Sequence, residues 1–424
     1  MANEQMTNGA AAPAKWTTLP YHRQWLLDQA SALFDFLEPH SLNPAGGFFA
    51  LDDRGRPIAR DATGKVPPRE IHVTTRMVHC FAIARLMGRP GADRFIDHGM
   101  EFLWKGHHDA KNGGYFWGVG EDGPSDPLKQ AYGHAFVLLA ASSAKMVGHP
   151  DAGRLLADVS EVLRTRFWES VHGAVAEEFS ADWQPISRYR GQNSNMHLTE
   201  SLMAAFEATG DNAYLEMAES IAGLIIRKLA AASGWRVAEH FDENWELDPD
   251  YSNGDVFRPA GTTPGHSLEW TRLLLQLWEL GQRRLDWLPD AARRLFAGAV
   301  SKGWDVENGG FHYTLDWSGK PLLRNRLWWP AAEGIGAAAF LNAIDGAPAY
   351  EDWYRGIWDF TASHLIDREN GGWKTEAADP TGKIAPLFEG KPDLYHALQA
   401  CLIPLLPPTG SITRGLTTVG LRVR

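Results

Sequence analysis

The sequence predicts an all-α fold, an (α/α)6 barrel of six inner and six outer helices with short β-hairpins in the long loops at one end. Three observations predict it: a repeated glycine-rich aromatic turn, two amphipathic segments between successive turns, and an alternation in how apolar those segments are. The turns are AGGFFAL at 45–51, NGGYFWG at 112–118, HGAVAEEF at 172–179, SGWRVAEHF at 233–241, NGGFHYTL at 308–315 and NGGWKTE at 370–376. With Gly46, Gly113, Gly173, Gly234, Gly309 and Gly371 as markers, the steps are 67, 60, 61, 75 and 62 residues. A recurrence of this kind is the signature of a repeat architecture.

Twelve helical segments begin near residues 21, 69, 91, 129, 151, 195, 213, 265, 286, 329, 349 and 392. Apolar residues recur at helical spacing, as in Leu155, Val159, Val162, Leu163 and Phe167. Gly88, Gly148 and Gly210 stand where helices end, and Pro264, Pro330 and Pro392 where they begin. The aromatic alternation after each marker reads as the short strands of hairpins. Every second segment is apolar nearly all round, as in GIGAAAFLNA and HALQACLIPLL, and such helices are enclosed. Their partners carry regular charge, as in ADRFIDHGMEFLWK and AYEDWYRGIWDF, and lie outside. An open α-solenoid is the competing architecture, but its repeats run to roughly 33–47 residues with shorter loops. Residues 1–15 read as a disordered leader, 16–407 as a single barrel domain and 408–424 as an extended tail.

Composition narrows the function. A net charge of −11 argues against a general nucleic-acid binder. No apolar run approaches a membrane span, and the N-terminus lacks the pattern of a secretory signal. The 2 cysteines, Cys80 and Cys401, sit in apolar runs and suit a reducing, cytoplasmic setting. The outlier is 18 tryptophans. Most must pack the helical layers, as Trp104, Trp168, Trp278, Trp353 and Trp358 do by position. Trp117, Trp235, Phe257, Trp328, Trp329 and Trp373 fall in loops or at the hairpin end, where aromatic planes suit the C–H faces of a sugar.

If the inner helices begin at that end, their first turns line one pocket. The residues placed there are Arg76, Tyr132, His134, Asn193, Asn195, His197, His266, Glu269, Trp328, Trp329, Glu333, Asp393, Tyr395 and His396. His197, His266 and His396 fall near the starts of three inner helices. His266 and Glu269 are three apart and share a helix face. Zinc or manganese on His-x-x-Glu is weighed and set aside, since no His-x-x-x-His or cysteine cluster accompanies it. No glycine-rich phosphate loop follows a strand, so no nucleotide cofactor is expected.

The segments TTRMVH, NSNMHLTE, VAEHFDENW, TPGHSLEW and KPDLYHALQACLIPL resemble the N-acylglucosamine 2-epimerase superfamily, from about residue 20 to 407. Within it the likeness is to the aldose–ketose isomerase branch, which acts on mannose or sulfoquinovose. The resemblance implies that His266 and His396 are the acid/base residues, that Arg76 and His197 contact the open-chain sugar, and that Glu269 supports His266. Asn193, Tyr132, His134, Phe257, Trp328, Trp329, Glu333 and Asp393 would bind the substrate. The implied activity is interconversion of mannose and fructose, with lyxose and xylulose as further substrates, without metal or cofactor. His266 is assigned C1–C2 proton transfer and His396 ring opening, although the sequence fits the reverse equally. Two departures, His72 for a tryptophan and Pro392-Asp393 for Gln-Asp, favour a neutral hexose over a sulfonated one. Arg258 keeps an anionic sugar open. Sugar 2-epimerisation, a glycoside hydrolase on two carboxylates and a non-catalytic sugar binder are the other readings, and a homo-oligomer stays open.

Overall fold

The structure, a computed structural model, describes residues 14–60, 64–391 and 394–420. Asp393 and residues 1–13 of the expected leader lie outside them. The inner helices are α2 (Ile71–Leu86), α4 (Ala131–Met146), α6 (Gln192–Thr209), α8 (Pro264–Leu280), α10 (Trp328–Ile344) and α12 (Tyr395–Leu402). Each packs on the next, and α12 packs on α2, which closes the ring. The outer helices are α1 (Pro20–Leu37), α3 (Ala92–Phe102), α5 (Ala152–Val162), α7 (Asn212–Ala222), α9 (Trp287–Gly303) and α11 (Pro348–Phe360). Helices α3, α5, α7, α9 and α11 back α2, α4, α6, α8 and α10, and α1 backs α12. This is the expected (α/α)6 barrel, with every predicted helix start within three residues of the observed one.

The two layers follow from side-chain patterning. Outer α3 buries Phe95, Ile96 and Met100 and leaves Arg94, Asp97 and Glu101 to solvent, the stripe of a half-buried helix. Inner α10 is buried without a break from Trp328 to Asn342. At Gly210 the left-handed backbone (φ 76°) ends α6 and turns the chain outward, a conformation glycine adopts without the Cβ clash other residues meet.

The hairpin end is stitched in a circle. The residues just before each inner helix pair with the loop of the next repeat. Arg69–Glu70 pair with Gly118–Val119, Lys129–Gln130 with Glu178–Phe179, and Arg190–Gly191 with His240–Phe241. Thr262 bridges Leu315 and Leu327 bridges Glu376. The amide of Lys391 closes the circle on the carbonyl of Leu51 at 2.9 Å.

A cation at the same place in five of the repeats clamps the preceding turn. Lys129 Nζ donates to Asp109, Gly113 O and Ala181 O, and Lys391 Nζ to Asp367, Gly371 O and Asp53 O. Arg69 reaches the carbonyls of Ala45 and Gly46, Arg326 those of Asn308 and Gly309, and Arg190 the carboxylate of Glu169. Lys129 and Lys391 are buried, and each meets a carboxylate and two backbone carbonyls, which offsets the cost of taking the charge out of water.

Two boundaries differ from expectation. Ala14 and Lys15, assigned to the leader, are held on the barrel by Arg355 Nη2 of outer α11 to Ala14 O (2.8 Å) and by Lys15 Nζ to Asn342 O of inner α10 (2.7 Å). The tail is not extended: Ile412–Thr418 form helix α13, capped by the Ser411 hydroxyl, with Ile412 and Leu416 buried on the α2–α4 side. Seven residues with only two large apolar side chains leave too faint a period to read.

Candidate active site

Because the inner helices all begin at the stitched end, the same turn of each reaches the axis. The sixth residues of α2, α4, α6, α8 and α10 are Arg76, Phe136, His197, Glu269 and Glu333. Above them opens a pocket at the barrel axis. Its walls hold Arg76, Tyr132, Asn193, His197, Phe257, His266, Glu269, Trp328, Trp329 and His396, all expected from the sequence, together with Tyr313 and Phe388, which were not.

The two histidines are built alike. His266 Nδ1 lies 2.9 Å from Glu239 Oε2 and 3.0 Å from Oε1. Glu239 is 3% exposed and is itself held by the amide of Gln192 (2.8 Å) and the backbone N–H of Thr263 (3.1 Å). Burial alone would push this carboxyl up, but His266 and its hydrogen bond pull it below its ordinary value. An ionised carboxylate only accepts, so the proton of this bond is assigned to Nδ1 and the ring is oriented by Glu239. His396 repeats the device: its Nδ1 lies 2.9 Å from Glu333 Oε1, while Glu333 Oε2 accepts from Arg272 Nε at 3.0 Å.

Trp329 stands between them, its ring centroid 5.0 Å from His266 and 5.9 Å from His396. It fits because Gly265 has no side chain; a Cβ there would lie 2.3 Å from the Trp329 ring. On the opposite wall Arg76 donates to the Tyr132 hydroxyl at 3.0 Å and lies over the rings of Phe136 and Tyr395. Phe257 and Tyr132 meet edge to face, and Tyr132 meets His197 the same way.

Beneath the pocket one guanidinium serves three carboxylates. Arg272 lies 3.0 Å from Glu333, 3.4 Å from Glu200 and 3.5 Å from Glu269. Burial favours the neutral acid in all three, but Arg272 together with the hydrogen bonds from His396 to Glu333 and from Tyr395 to Glu200 holds Glu333 and Glu200 below the usual range. Glu269 goes the other way: burial and the charge of Glu333 raise it well above the usual range, so it keeps its proton. His197 is held neutral, at about 4, chiefly by burial and further by Arg76. His197, Glu200 and Glu269 bring potential ligand atoms within 4.8 Å of one another, but the positive charge at that place is supplied by Arg272.

Four expectations are corrected. Glu269 does not support His266; Glu239 holds that position, and Glu269 Oε1 lies 3.6 Å from His197 Nδ1 instead. Glu333 is not a sugar contact, since both its oxygens are engaged and it is 1% exposed. His134 is a structural residue: Nδ1 meets the carbonyl of Gln130 at 2.7 Å and Nε2 accepts the N–H of Tyr115 at 3.1 Å. Asn195 likewise spends its amide on the backbone of Val175 and Gly191. Asp393 lies outside the described residues. Among the tryptophans, Trp117 stacks on His72, Trp235 takes the guanidinium of Arg294 over its ring, and Trp373 packs on Trp358. Arg258 is not free for an anion; it pairs with Glu178 at 2.8 Å and lies 3.6 Å from Glu177.

The structure is a closed helical barrel whose pocket holds two carboxylate-backed histidines beside an aromatic plane. The N-acylglucosamine 2-epimerase (GlcNAc 2-epimerase) family profile matches residues 46–400, and the chain belongs to this family. It is 44% identical to a D-mannose isomerase of Pseudomonas cannabina pv. alisalensis, over 97% of this chain and 99% of that protein. It is 42% identical to a D-mannose isomerase of Thermobifida fusca, over 96% and 99%. A crystal structure of a D-mannose isomerase superposes with a TM-score of 0.83 at 32% identity, covering 93% of this chain and 99% of that one. Among the described residues, no helix is long and apolar enough to cross a membrane.

Proposed function

We propose that this protein is a cofactor-independent aldose–ketose isomerase that interconverts D-mannose and D-fructose, with lyxose and xylulose as further substrates. The observation that carries the reading is the pair His266–Glu239 and His396–Glu333, both histidines lining one pocket beside Trp329. Two near-full-length relatives named D-mannose isomerase support the same substrate.

The chemistry needs two proton-handling groups. Ring opening breaks C1–O5: a base takes the O1 proton and a proton reaches O5, leaving a free aldehyde. His396 is assigned this step. His266 then removes the C2 proton, the electrons pass into an enediolate, and His266, its proton exchanged with solvent, delivers a proton to C1 while the O2 proton moves to O1. A histidine suits both directions near neutral pH. Arg76 stabilises charge on O1 and O2 as the enediolate forms, and neutral His197 donates or accepts beside it. Trp329, Trp328 and Phe257 cover the apolar edges of the chain. Arg76 is the one guanidinium in the described pocket wall, and Arg258 is spent on carboxylates, which favours an uncharged hexose over a sulfonated or phosphorylated one. The burial of Cys80 and Cys401 and the free-sugar substrate fit a cytoplasmic setting.

Incubation with mannose in deuterated water tests the reading. Fructose carrying solvent deuterium is expected; glucose as the main product would mean 2-epimerisation, and no turnover of mannose would overturn both. His266→Ala should still interconvert mannose anomers while losing isomerisation, and His396→Ala should lose both. The opposite pattern reverses the two roles.

A further inference from the structure

The far end of the inner helices carries a hydrogen-bonded path that the reaction does not use directly. It starts in the C-terminal segment, where the carbonyl of Gly410 accepts from Gln276 Nε2 at 3.1 Å. Gln276 Oε1 accepts from Arg272 Nη1 at 3.3 Å, and Arg272 Nε donates to Glu333 Oε2 at 3.0 Å. Glu333 Oε1 then holds His396 Nδ1 at 2.9 Å. Every side chain on the path is at most 5% exposed. The segment is anchored independently: the N–H of Ser411 donates to Glu207 Oε1 of α6 at 2.9 Å, and α13 packs on α2 and α4. Gly410 sits so tightly between α6 and α8 that a Cβ would stand 2.2 Å from Glu207 Oε1.

We infer that Gln276 and the segment from Gly410 to Thr418 are positioning elements for His396, acting through Arg272 and Glu333. The inference rests on reading His396 as an acid/base residue. Arg272 faces three carboxylates and can satisfy them in more than one orientation. The orientation seen points Nε at Glu333, and Gln276 holds Nη1 through its amide oxygen while the tail holds Gln276 in turn. Without that hold the guanidinium is free to turn toward Glu200 and Glu269, and Glu333 no longer fixes the ring of His396. Displacement of a reacting group by about 1 Å costs on the order of 10²-fold in rate, so a remote loosening is felt in turnover before it is felt in binding.

The test compares Gln276→Leu, a full chain ended at Pro408, and the two combined, reading kcat, KM and melting temperature with mannose. Each single change is expected to lower kcat by about 10- to 100-fold with KM within about twofold, at temperatures where the protein is folded. The combination is expected to be no worse than either, because both cut one path. A folded Gln276→Leu variant with unchanged kcat overturns the inference, as do losses that multiply in the combination. If the shortened chain does not fold, Gly410→Ala takes its place with the same two readings. A lower melting temperature with normal kcat means a structural role alone and also overturns it. His396→Ala, run in parallel, separates the two ideas. If it stays active, the reading of the site fails; if it is dead while Gln276→Leu is normal, only the positioning role fails.

Discussion

Glu239 Oε2 lies 2.9 Å from Nδ1 of His266 although the two are 27 residues apart, one in a hairpin loop and the other on α8. The contact fixes which ring nitrogen carries the proton. Glu239→Gln keeps the shape but can present an N–H where an acceptor is needed, which stabilises the wrong tautomer. The expected outcome is a loss in kcat on the order of 10²–10⁴-fold, the range spanned by histidine acid/base catalysis, with little change in melting temperature. Steady-state kinetics on mannose beside a thermal melt check it; near-normal turnover would sink the role given to Glu239.

Glu269 behaves differently because it keeps its proton. Glu269→Gln is therefore expected to retain KM within a few-fold, whereas Glu269→Ala should raise it by removing a hydrogen-bond partner from the pocket wall. The pH dependence has a definite sign. The folded carboxyl titrates above its unfolded value near 4.5, so the folded state holds a proton that the unfolded chain releases. Its stabilising contribution is complete below about 4.5 and is lost as pH rises toward the folded value. Melting curves of the wild type and Glu269→Gln across that range should converge or cross accordingly; a constant offset would contradict a protonated Glu269.

The barrel was legible because its determinants are local and repeated. A Gly-Gly turn, a striped helix and an apolar helix recur often enough to count, and the closed ring follows. The histidines were legible because they fall at equivalent helix starts. What the sequence hid lies in contacts between repeats. Glu239 stands in VAEHF, a hairpin whose acidic residue carries no local sign of its partner, and the circular stitching brings it onto His266. Spacing on one helix suggested Glu269 for that place, but the helix twist turns it inward to His197 and Arg272. His134 misled for a related reason: a helix-start histidine can face the pocket or the hairpin behind it, and the free N–H of Tyr115 decides for the hairpin.

That hairpin-facing histidine belongs to a set with a common acid response. His22, His79, His107, His134 and His197 are each held at about 4, in every case chiefly by burial. Their folded values lie below the unfolded value of 6.5, so the unfolded chain takes up protons that the folded one refuses. The stability they contribute is full above about 6.5 and falls away as pH drops toward 4. The melting temperature is expected to decline steeply across that window. His134→Phe should flatten part of the decline while costing stability at neutral pH through the unpaired N–H of Tyr115, and it should leave KM for mannose unchanged. A rise in KM would return His134 to the substrate.

Trp329 offers the sharpest separation of packing from function. It is 8% exposed, touches both histidines and fills the space left by Gly265. Trp329→Ala removes a large buried side chain, which costs about 3–5 kcal/mol, and opens the wall between the two bases. Trp329→Phe keeps an aromatic plane with less area. The expected order of KM is wild type, then Trp329→Phe, then Trp329→Ala, with at least a tenfold rise (about 1.4 kcal/mol) for alanine. Each loss should appear for mannose and fructose alike if the plane covers the carbon face of the sugar, because that face does not distinguish aldose from ketose. If Trp329→Ala lowers stability but leaves both KM values intact, the tryptophan only packs, and the sugar lies on Trp328 and Phe257 instead.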